Sequence, residues 1–488
     1  MNGFRIVGSL GSIESESGDF DEFTVCFHDG RRKRYRCASN RLTYGDFAKP
    51  MIQNFVDMIS NKAEPTVSGE SVLGATQLLE QAYTSARRYS LPWNDRLRDW
   101  SNDVRFLNPT NAQPKRVLIT GASGFVGGRL AEAMQLTGLF QPVAGIRTWP
   151  RAARVASHPM QIVICDIMQA EQVEAAAKGC DSIVHCAYSD DLNSIIDGTK
   201  HALQAAAKHG ISNFVYLSSA EVYGPQRSDE VTEDVALEPL GRPYGDAKLE
   251  AERLCQKYAQ QGVFTTILRP SLIYGPHGKS WSIGVADRLQ SGNWKLFDGL
   301  ADGIANLIYV DDLVQAIFLC LQSPADACRL YNVNGPQPPT WNQYFQAFND
   351  ALGLPPLEHV SASKSKLKSA AMDIVRGTTS AIKARFEDRL MEIYLRGGPA
   401  GRMMKRLKNA LDTTPSSGEL TDLYARCAIY SDEKIREELQ YQPQFDLATG
   451  IGTTIQWMLL HELVKDPQQV KLSEASLSKN PTRSTVLT

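Results

Sequence analysis

What the chain lacks narrows it first. It has almost no charge imbalance: 52 Lys/Arg against 54 Asp/Glu over 488 residues leave a net charge of −2, which argues against a polyanion binder. No basic, aromatic-interleaved stretch of the kind that grips nucleic acid occurs in it. No apolar run approaches the length of a membrane span. The start, M-N-G-F-R-I-V-G-S-L, has none of the long apolar core of a secretion signal. The nine cysteines are scattered, with no C-x-x-C pair and no His/Cys spacing that would hold a metal. Free buried thiols in a reducing cytoplasm are the simplest account. What is present is a hydrophobic fraction of 43% in a chain long enough for two or three domains.

Residues Arg116 to Gly128, R-V-L-I-T-G-A-S-G-F-V-G-G, organise the chain downstream of them. Val117, Leu118 and Ile119 predict a short buried strand. Gly121, Gly124 and Gly127, in T-G-x-x-G-x-x-G, let the backbone turn tightly and approach a bound anion with no Cβ in the way. A helical pattern resumes at Arg129 to Gln135, so the turn feeds a helix N-terminus whose free N–H groups suit a pyrophosphate. Further strands are predicted at Pro142–Ile146, Ile162–Cys165, Asp181–Cys186 and Asn213–Leu217. Arg147 follows the second strand, a position that faces the adenosine ribose in a dinucleotide fold. A guanidinium there, with Arg151 and Arg154 nearby, offers charge to a 2′-phosphate. The expected cofactor is therefore NADP, with NAD possible. Asp166 at the third strand end can accept from an adenine amino group, and Ala187 supplies small bulk where backbone passes the cofactor. His185, alone at a strand end, reads as a packed residue rather than a catalyst.

A second constellation comes next in order: Ser218-Ser219-Ala220-Glu221-Val222-Tyr223-Gly224, then Pro243-Tyr244-Gly245-Asp246-Ala247-Lys248, opening a helix that runs to about Gln260. Tyr244 and Lys248 lie on one helix face, one turn apart. A tyrosine is a poor base at neutral pH, but an ammonium and a positive nicotinamide ring beside it favour the phenolate. Tyr244 can then take or return the proton of a substrate hydroxyl as hydride moves at the same carbon, with Ser219 holding the substrate oxygen.

These motifs resemble the extended short-chain dehydrogenase/reductases, the NAD-dependent epimerase/dehydratase family, over roughly residues 115–464. The likeness continues in I-L-R-P-S-L-I-Y-G-P-H-G (Ile267–Gly278), N-L-I-Y-V-D-D-L-V-Q-A-I (Asn306–Ile317) and the stretch Tyr430 to Asp446. It implies Ser219, Tyr244 and Lys248 as the catalytic three. It implies Gly121, Ser123, Gly124, Phe125, Val126, Gly127, Arg147, Asp166, Ile167 and Ala187 along the cofactor, with Tyr244, Lys248, Pro270 and Leu272 near its nicotinamide. Three positions depart from the family's nucleotide-sugar enzymes. Ala305 stands where an arginine usually grips the substrate pyrophosphate. Ile195 stands where an asparagine often relays protons to the lysine. Ala220 and Glu221 replace the acidic pair of the sugar dehydratases.

Upstream, Phe4 to Ser39 alternates apolar and polar residues around an Asp29-Gly30 hairpin signal, and Arg31–Arg36 reads as a solvated strand face. Helical faces are predicted over Tyr44–Ile59 and Val72–Tyr89. The stretch G-D-F-A-K-P…E-P-T-V-S-G-E-S-V-L resembles the C-terminal end of the Gfo/Idh/MocA oxidoreductase family, without that family's nucleotide-binding domain or its E-K-P lysine segment. Residues 1–105 are accordingly expected to be a partial, non-catalytic α+β segment that packs on another surface. The polar stretch from Trp93 to Pro114 predicts a connection, with the linker proper at 106–114.

Residues 353–428 form a lid insertion longer than the family needs, and Ser361–Asp412 carries twelve Lys/Arg against five Asp/Glu. It predicts basic amphipathic helices, either a solvated lid over the substrate site or a contact with a membrane surface or lipid-like anion. Residues 465–488 are expected to be a disordered tail. The expected architecture is α/β: a doubly wound parallel sheet of the Rossmann kind, a smaller substrate domain built from pieces after Gly275 and after Ser323, and the N-terminal α+β segment. The expected partner is a small-molecule substrate, with no nucleic acid, and the chain is expected to form a homo-oligomer. The function implied is oxidoreduction or epimerisation of a sugar-nucleotide or related substrate. A reductase or dehydrogenase of a lipid- or steroid-like alcohol is one alternative, and a non-catalytic cofactor-sensing scaffold is the other.

Overall fold

The computed structural model describes residues 4–8, 11–15, 22–27, 31–36, 44–60 and short stretches between 62 and 77. Beyond these it describes 91–100, 113–188, 191–225, 230–323, 327–363 and 422–464. The chain divides by its contacts into two units, Met1–Ser90 and Leu91–Thr488. The expected second helix at Val72–Tyr89 lies largely outside the described residues. So do the basic helices between 364 and 421 and the tail from 465.

In the first unit β1 (Phe4–Gly8), β2 (Gly11–Ser15), β3 (Glu22–Phe27) and β4 (Arg32–Arg36) form an antiparallel sheet in that order. The alternating run from Phe4 to Ile13 is itself a hairpin, with Gly8 opposite Gly11. Asp29-Gly30 lies between the paired strands β3 and β4, and Glu22 stands opposite Arg36. The helix α1 (Tyr44–Ile59) has the expected period, but its apolar stripe is not inward: Met51 is 67% and Phe55 58% exposed.

The second unit opens with a helix where the sequence predicts a connection. α2 (Pro92–Asp99) starts on a proline, which suits a first helical position, and it buries Trp93, Leu97 and Trp100. β5 (Arg116–Thr120), β6 (Gln141–Ile146), β7 (Gln161–Ile164), β8 (Ser182–His185) and β9 (Asn213–Leu217) come after it. They alternate with α3 (Phe125–Thr137), α4 (Ala170–Ala177) and α5 (Asn193–His209). The short β10 (Glu230–Val231) and α6 (Pro243–Ala259) then lead to β11 (Phe264–Pro270). Next come β12 (Leu272–Tyr274), β13 (Leu296–Asp298), β14 (Leu307–Tyr309), α7 (Val310–Gln322) and β15 (Arg329–Val333). The order β15-β11-β9-β8-β5-β6-β7 makes one seven-stranded sheet, every pair parallel. Strands covered on both faces read as continuous apolar runs, as β5, β8 and β9 do.

Alternate residues of β5 serve opposite faces. Val117 and Ile119 join a core with Leu130 and Met134 of α3 and Phe318 of α7, whereas Leu118 joins one with Leu203 of α5 and Ala251 of α6. A third, aromatic core gathers Trp93, Trp294, Trp341, Tyr344, Phe345 and Trp457 beside the sheet. Small parallel pairs of β12 with β14 and of β13 with β16 (His359–Ser361) edge it, while β10 pairs with β17 (Ile429–Tyr430) in a separate cluster with Tyr223.

One buried ion pair ties these parts together. Arg129, 1% exposed on α3, donates from Nε and Nη2 to both oxygens of Asp311, at 2.6 and 2.9 Å. Its Nη1 donates to Asn94 Oδ1 at 2.6 Å, and its Nη2 also reaches the Trp93 carbonyl of α2. Removing one partner of such a pair strands the other charge away from water, which costs about 3–5 kcal/mol. Arg129→Met is therefore expected to lower unfolding stability by that amount, read as a urea midpoint shift; a loss under 1 kcal/mol, of the size of a surface pair, would contradict this.

Candidate active site

The sheet order reverses between β5 and β8, and a ligand crevice belongs outside the strand C-termini at such a point. A cavity of about 1150 Å³ opens there, with Gly121, Ala187, Ser219 and Tyr244 on its walls. That exceeds the roughly 300–1,000 Å³ of a single small-ligand pocket and leaves room for a substrate beside a dinucleotide. Every residue the sequence singled out for cofactor or catalysis lines it, from Gly121 and Ser123 through Arg147, Asp166, Ile167 and Lys248 to Pro270 and Leu272.

The glycines are required by contact. Gly121 has φ 71°, and a Cβ on it would meet the Ala187 Cα at 2.8 Å. A Cβ on Gly127 would sit 2.5 Å from the Gly121 carbonyl oxygen. Gly124 caps α3 without a side chain, so the first-turn N–H groups have no intrahelical acceptor and suit a pyrophosphate.

The three arginines after β6 are not equivalent. Arg154 is committed: it donates to both oxygens of Glu132, at 2.6 and 2.9 Å, and to the carbonyls of Gly124 and Phe125. Although burial pushes it up, Glu132 is held down at about 2 by Arg154 and Arg129. Arg154 thus braces the glycine turn and is not the reserve phosphate ligand its sequence position suggests. Arg147 and Arg151 are exposed on the cavity wall, and their side chains make no hydrogen bond or ion pair among the described residues. Asp166 accepts from the Met168 amide at 3.1 Å.

On the opposite wall, α6 presents Tyr244 and Lys248. Lys248 is buried, donates to the Leu217 carbonyl at 2.8 Å, and lies 6.0 Å from the Tyr244 ring centre. Burial pulls its ammonium down to about 8. Burial pushes the Tyr244 phenol up to about 12, with Tyr188 adding to the rise and the hydrogen bond with Ser219 working against it. Ser219 Oγ accepts from the Glu221 amide at 3.1 Å. His185 is packed as expected, stacked between Phe214 and Tyr216 with Nδ1 2.8 Å from Thr120 Oγ1; burial and the nearby Lys248 lower it to about 3.

The departures fall in two places. Ile195 and Ala305 are core residues, 1% and 0% exposed. The cavity wall beside position 305 is instead made by Ile304 and Asn306. Glu221 faces the cavity and pairs with Arg242 at 3.2 Å and Arg426 at 3.5 Å. Sequence reasoning missed the rest of the far wall: Tyr188, Trp281, Trp341, Leu423 and Arg426. Asn306 and Tyr430, also lining the cavity, do sit in stretches that signalled the family. Gly127→Ala should weaken dinucleotide binding by ~10–100-fold, since overpacking of about 1–3 kcal/mol falls on the turn itself. Unchanged affinity in a fluorescence titration would show that the turn can shift to admit a methyl group.

Comparison with known proteins agrees with this geometry. Residues 117–334 match the sequence profile of the NAD dependent epimerase/dehydratase family. A 3-beta-hydroxysteroid dehydrogenase of Mycolicibacterium neoaurum is 29% identical over 230 residues, 42% of this chain and 61% of that protein, so the match spans less than two thirds of it. An uncharacterized UDP-glucose epimerase of Bacillus subtilis is 27% identical over 246 residues, 45% of this chain and 77% of the other. The solved UDP-glucuronic acid 4-epimerase of Bacillus cereus, in complex with NAD, superposes with a TM-score of 0.52 at 17% identity, covering 72% of this chain and all of that one. None of this similarity lends support to the Gfo/Idh/MocA reading of residues 1–105. Residues 117–334 are a domain of the NAD-dependent epimerase/dehydratase family.

Proposed function

We propose that the chain is an NAD(P)-dependent oxidoreductase acting at an alcohol or ketone carbon, with Tyr244 as acid/base, Ser219 holding the substrate oxygen and Lys248 as their electrostatic partner. The observation that carries it is the meeting of these three side chains on one wall of the cavity into which the glycine turn opens. A bound nicotinamide supplies or accepts the hydride, and in its oxidised form adds positive charge beside the phenol. With the phenol held at about 12, Tyr244 is protonated at neutral pH and ready to donate to an oxygen that gains charge as its carbon is reduced. Oxidation asks the same oxygen to give up a proton and leans on the positive charge of Lys248.

Two substrate classes are in play. A sugar-nucleotide, epimerised by transient oxidation, is the reading the family and the UDP-glucose epimerase relative favour. An apolar, lipid- or steroid-like alcohol is favoured by the wall of Trp281, Trp341, Ile304 and Leu423, and by the hydroxysteroid dehydrogenase relative. The residues 1–105 are read as non-catalytic, and their Gfo/Idh/MocA likeness stands on their sequence pattern. The family reading and the eight described cysteines, all unpaired, fit a reducing cytoplasm.

Turnover of a panel holding UDP-sugars and 3β-hydroxysteroids, with either cofactor, tests the reading. Tyr244→Phe is expected to cut the turnover rate by ~10²–10⁴ with cofactor affinity nearly unchanged. Near-normal turnover in that variant removes Tyr244 from the chemistry.

The cofactor is proposed to be NADP, since Arg147 and Arg151, unpaired among the described residues, stand where the adenosine ribose would lie, although solved relatives hold NAD. A guanidinium on a 2′-phosphate is worth roughly 1.5–3 kcal/mol, about one to two decades of affinity. Arg147→Ala should weaken NADP by that factor and leave NAD unaffected. Tighter wild-type binding of NAD, at one ionic strength, would make Arg147 a surface residue with no part in cofactor choice.

A further inference from the structure

A buried polar network that the chemistry above does not use lies behind the catalytic wall. Glu252 sits on α6, one turn past Lys248 and two past Tyr244, and is 1% exposed. Its Oε1 accepts from Ser218 Oγ at 2.5 Å and from Arg269 Nε at 3.0 Å; its Oε2 accepts from Arg269 Nη2 at 2.6 Å. Arg269, on β11, also donates to the Tyr223 hydroxyl at 2.8 Å, which donates in turn to Asn332 of β15 at 2.7 Å. Burying such a pair costs desolvation that an apolar pair of the same volume would avoid.

Its placement supplies a reason. One stripe of α6 faces three consecutive residues, the last of β9 and the first two of the loop after it. Tyr244 shares the cavity wall with Ser219, Lys248 bonds the Leu217 carbonyl, and Glu252 bonds Ser218. The register of the serine against the tyrosine is thus set from below by Glu252 and Lys248. The groups that act on Lys248 from the elements around it are Cys186 and His185 at the end of β8, and Cys255 and Glu252 of its own helix. The rings of Tyr188, Tyr216 and Tyr244 complete its surroundings. Glu252 is the carboxylate among them; burial holds the Cys186 thiol up at about 12 and also pushes the Cys255 thiol well up.

We propose that Glu252 is a positioning residue: through Ser218 it holds Ser219 against Tyr244, and across one helix turn it keeps the Lys248 ammonium charged in a place stripped of water. This rests on the roles given above to Ser219, Tyr244 and Lys248, but its central test needs no turnover. Lys248 is acylated with acetic anhydride across a pH series in the full-length chain, and its modification is read by peptide mass spectrometry. In Glu252→Gln the titration midpoint of Lys248 is expected to fall by about one pH unit, because the charge that favours the ammonium is gone. Glu252→Asp, which keeps the charge, should stay near the wild-type midpoint. Equal midpoints in Glu252→Gln and wild type overturn the electrostatic role.

Should the single variant not fold, Glu252→Gln with Arg269→Leu leaves no unpaired buried cation and is expected to show the same fall, with the same outcome counting against the proposal. Ser218→Ala removes the other arm. It should lower the turnover rate ~10-fold, the worth of one hydrogen bond of about 1.4 kcal/mol, with the cofactor KM within twofold; an unchanged rate overturns the positioning role. If no alcohol or ketone is turned over by the wild type, the catalytic reading fails while the Lys248 midpoints still decide the charge role of Glu252.

Discussion

A guanidinium out of reach of water must find acceptors for its hydrogens, and Arg129 finds them on three different elements. Asp311 comes from the first turn of α7, Asn94 and the Trp93 carbonyl from α2, and Glu132, at 3.3 Å, from its own helix. Glu132 in turn holds Arg154, which reaches over to the carbonyls of the glycine turn. A phosphate-binding turn is only useful if its amides do not wander, and here its geometry is imposed from outside through two arginines and two carboxylates. The neighbouring β12 and β14 pair, which carries Leu272 on the cavity wall, runs straight into the α7 turn that holds Asp311. A continuous chain of ion pairs and hydrogen bonds therefore links the glycine turn, the first turn of α7 and the entry helix α2.

Burial works against charge on both of the α6 side chains proposed to carry the chemistry. It drives the phenol of Tyr244 up and the ammonium of Lys248 down, so each is pressed toward its neutral form. The low-dielectric wall that makes a lysine effective as an electrostatic partner also makes it costly to keep charged. Residues one turn below the site answer this cost, which is why a polar network occupies space that leucines could fill.

Much of this was legible in the sequence because the signals were local. The T-G-x-x-G-x-x-G turn, the Y-x-x-x-K helix and the five strand predictions from Val117 to Leu217 each depend on residues a few positions apart, and the sheet is built from them. What was not legible depends on distant partners. Arg147, Arg151 and Arg154 look alike in the sequence; Glu132 on another helix separates them. Ala305 is small wherever it stands, but its burial in the aromatic core is a tertiary fact. The polar composition of Trp93–Pro114 argued for a connection, and burial of Trp93, Leu97 and Trp100 overrode that local tendency with a helix. In α1 the period held but Met51 and Phe55 stand exposed, because periodicity says which residues share a side and not what covers it.

The entry helix also imposes an order on synthesis. α2 leaves the ribosome before either of the cores it joins has been made, Trp93 belonging to the aromatic core and Leu97 and Trp100 to the sheet core. Asn94 meets Arg129 after another 35 residues, but Arg129 must wait 182 more for Asp311. Through that interval the nascent chain holds a buried-type arginine with only part of its acceptors and two tryptophans without their pockets. The glycine turn, though encoded early, gains the last of the contacts that brace it through Arg129 only when the strand at Leu307–Tyr309 and the first turn of α7 have been translated.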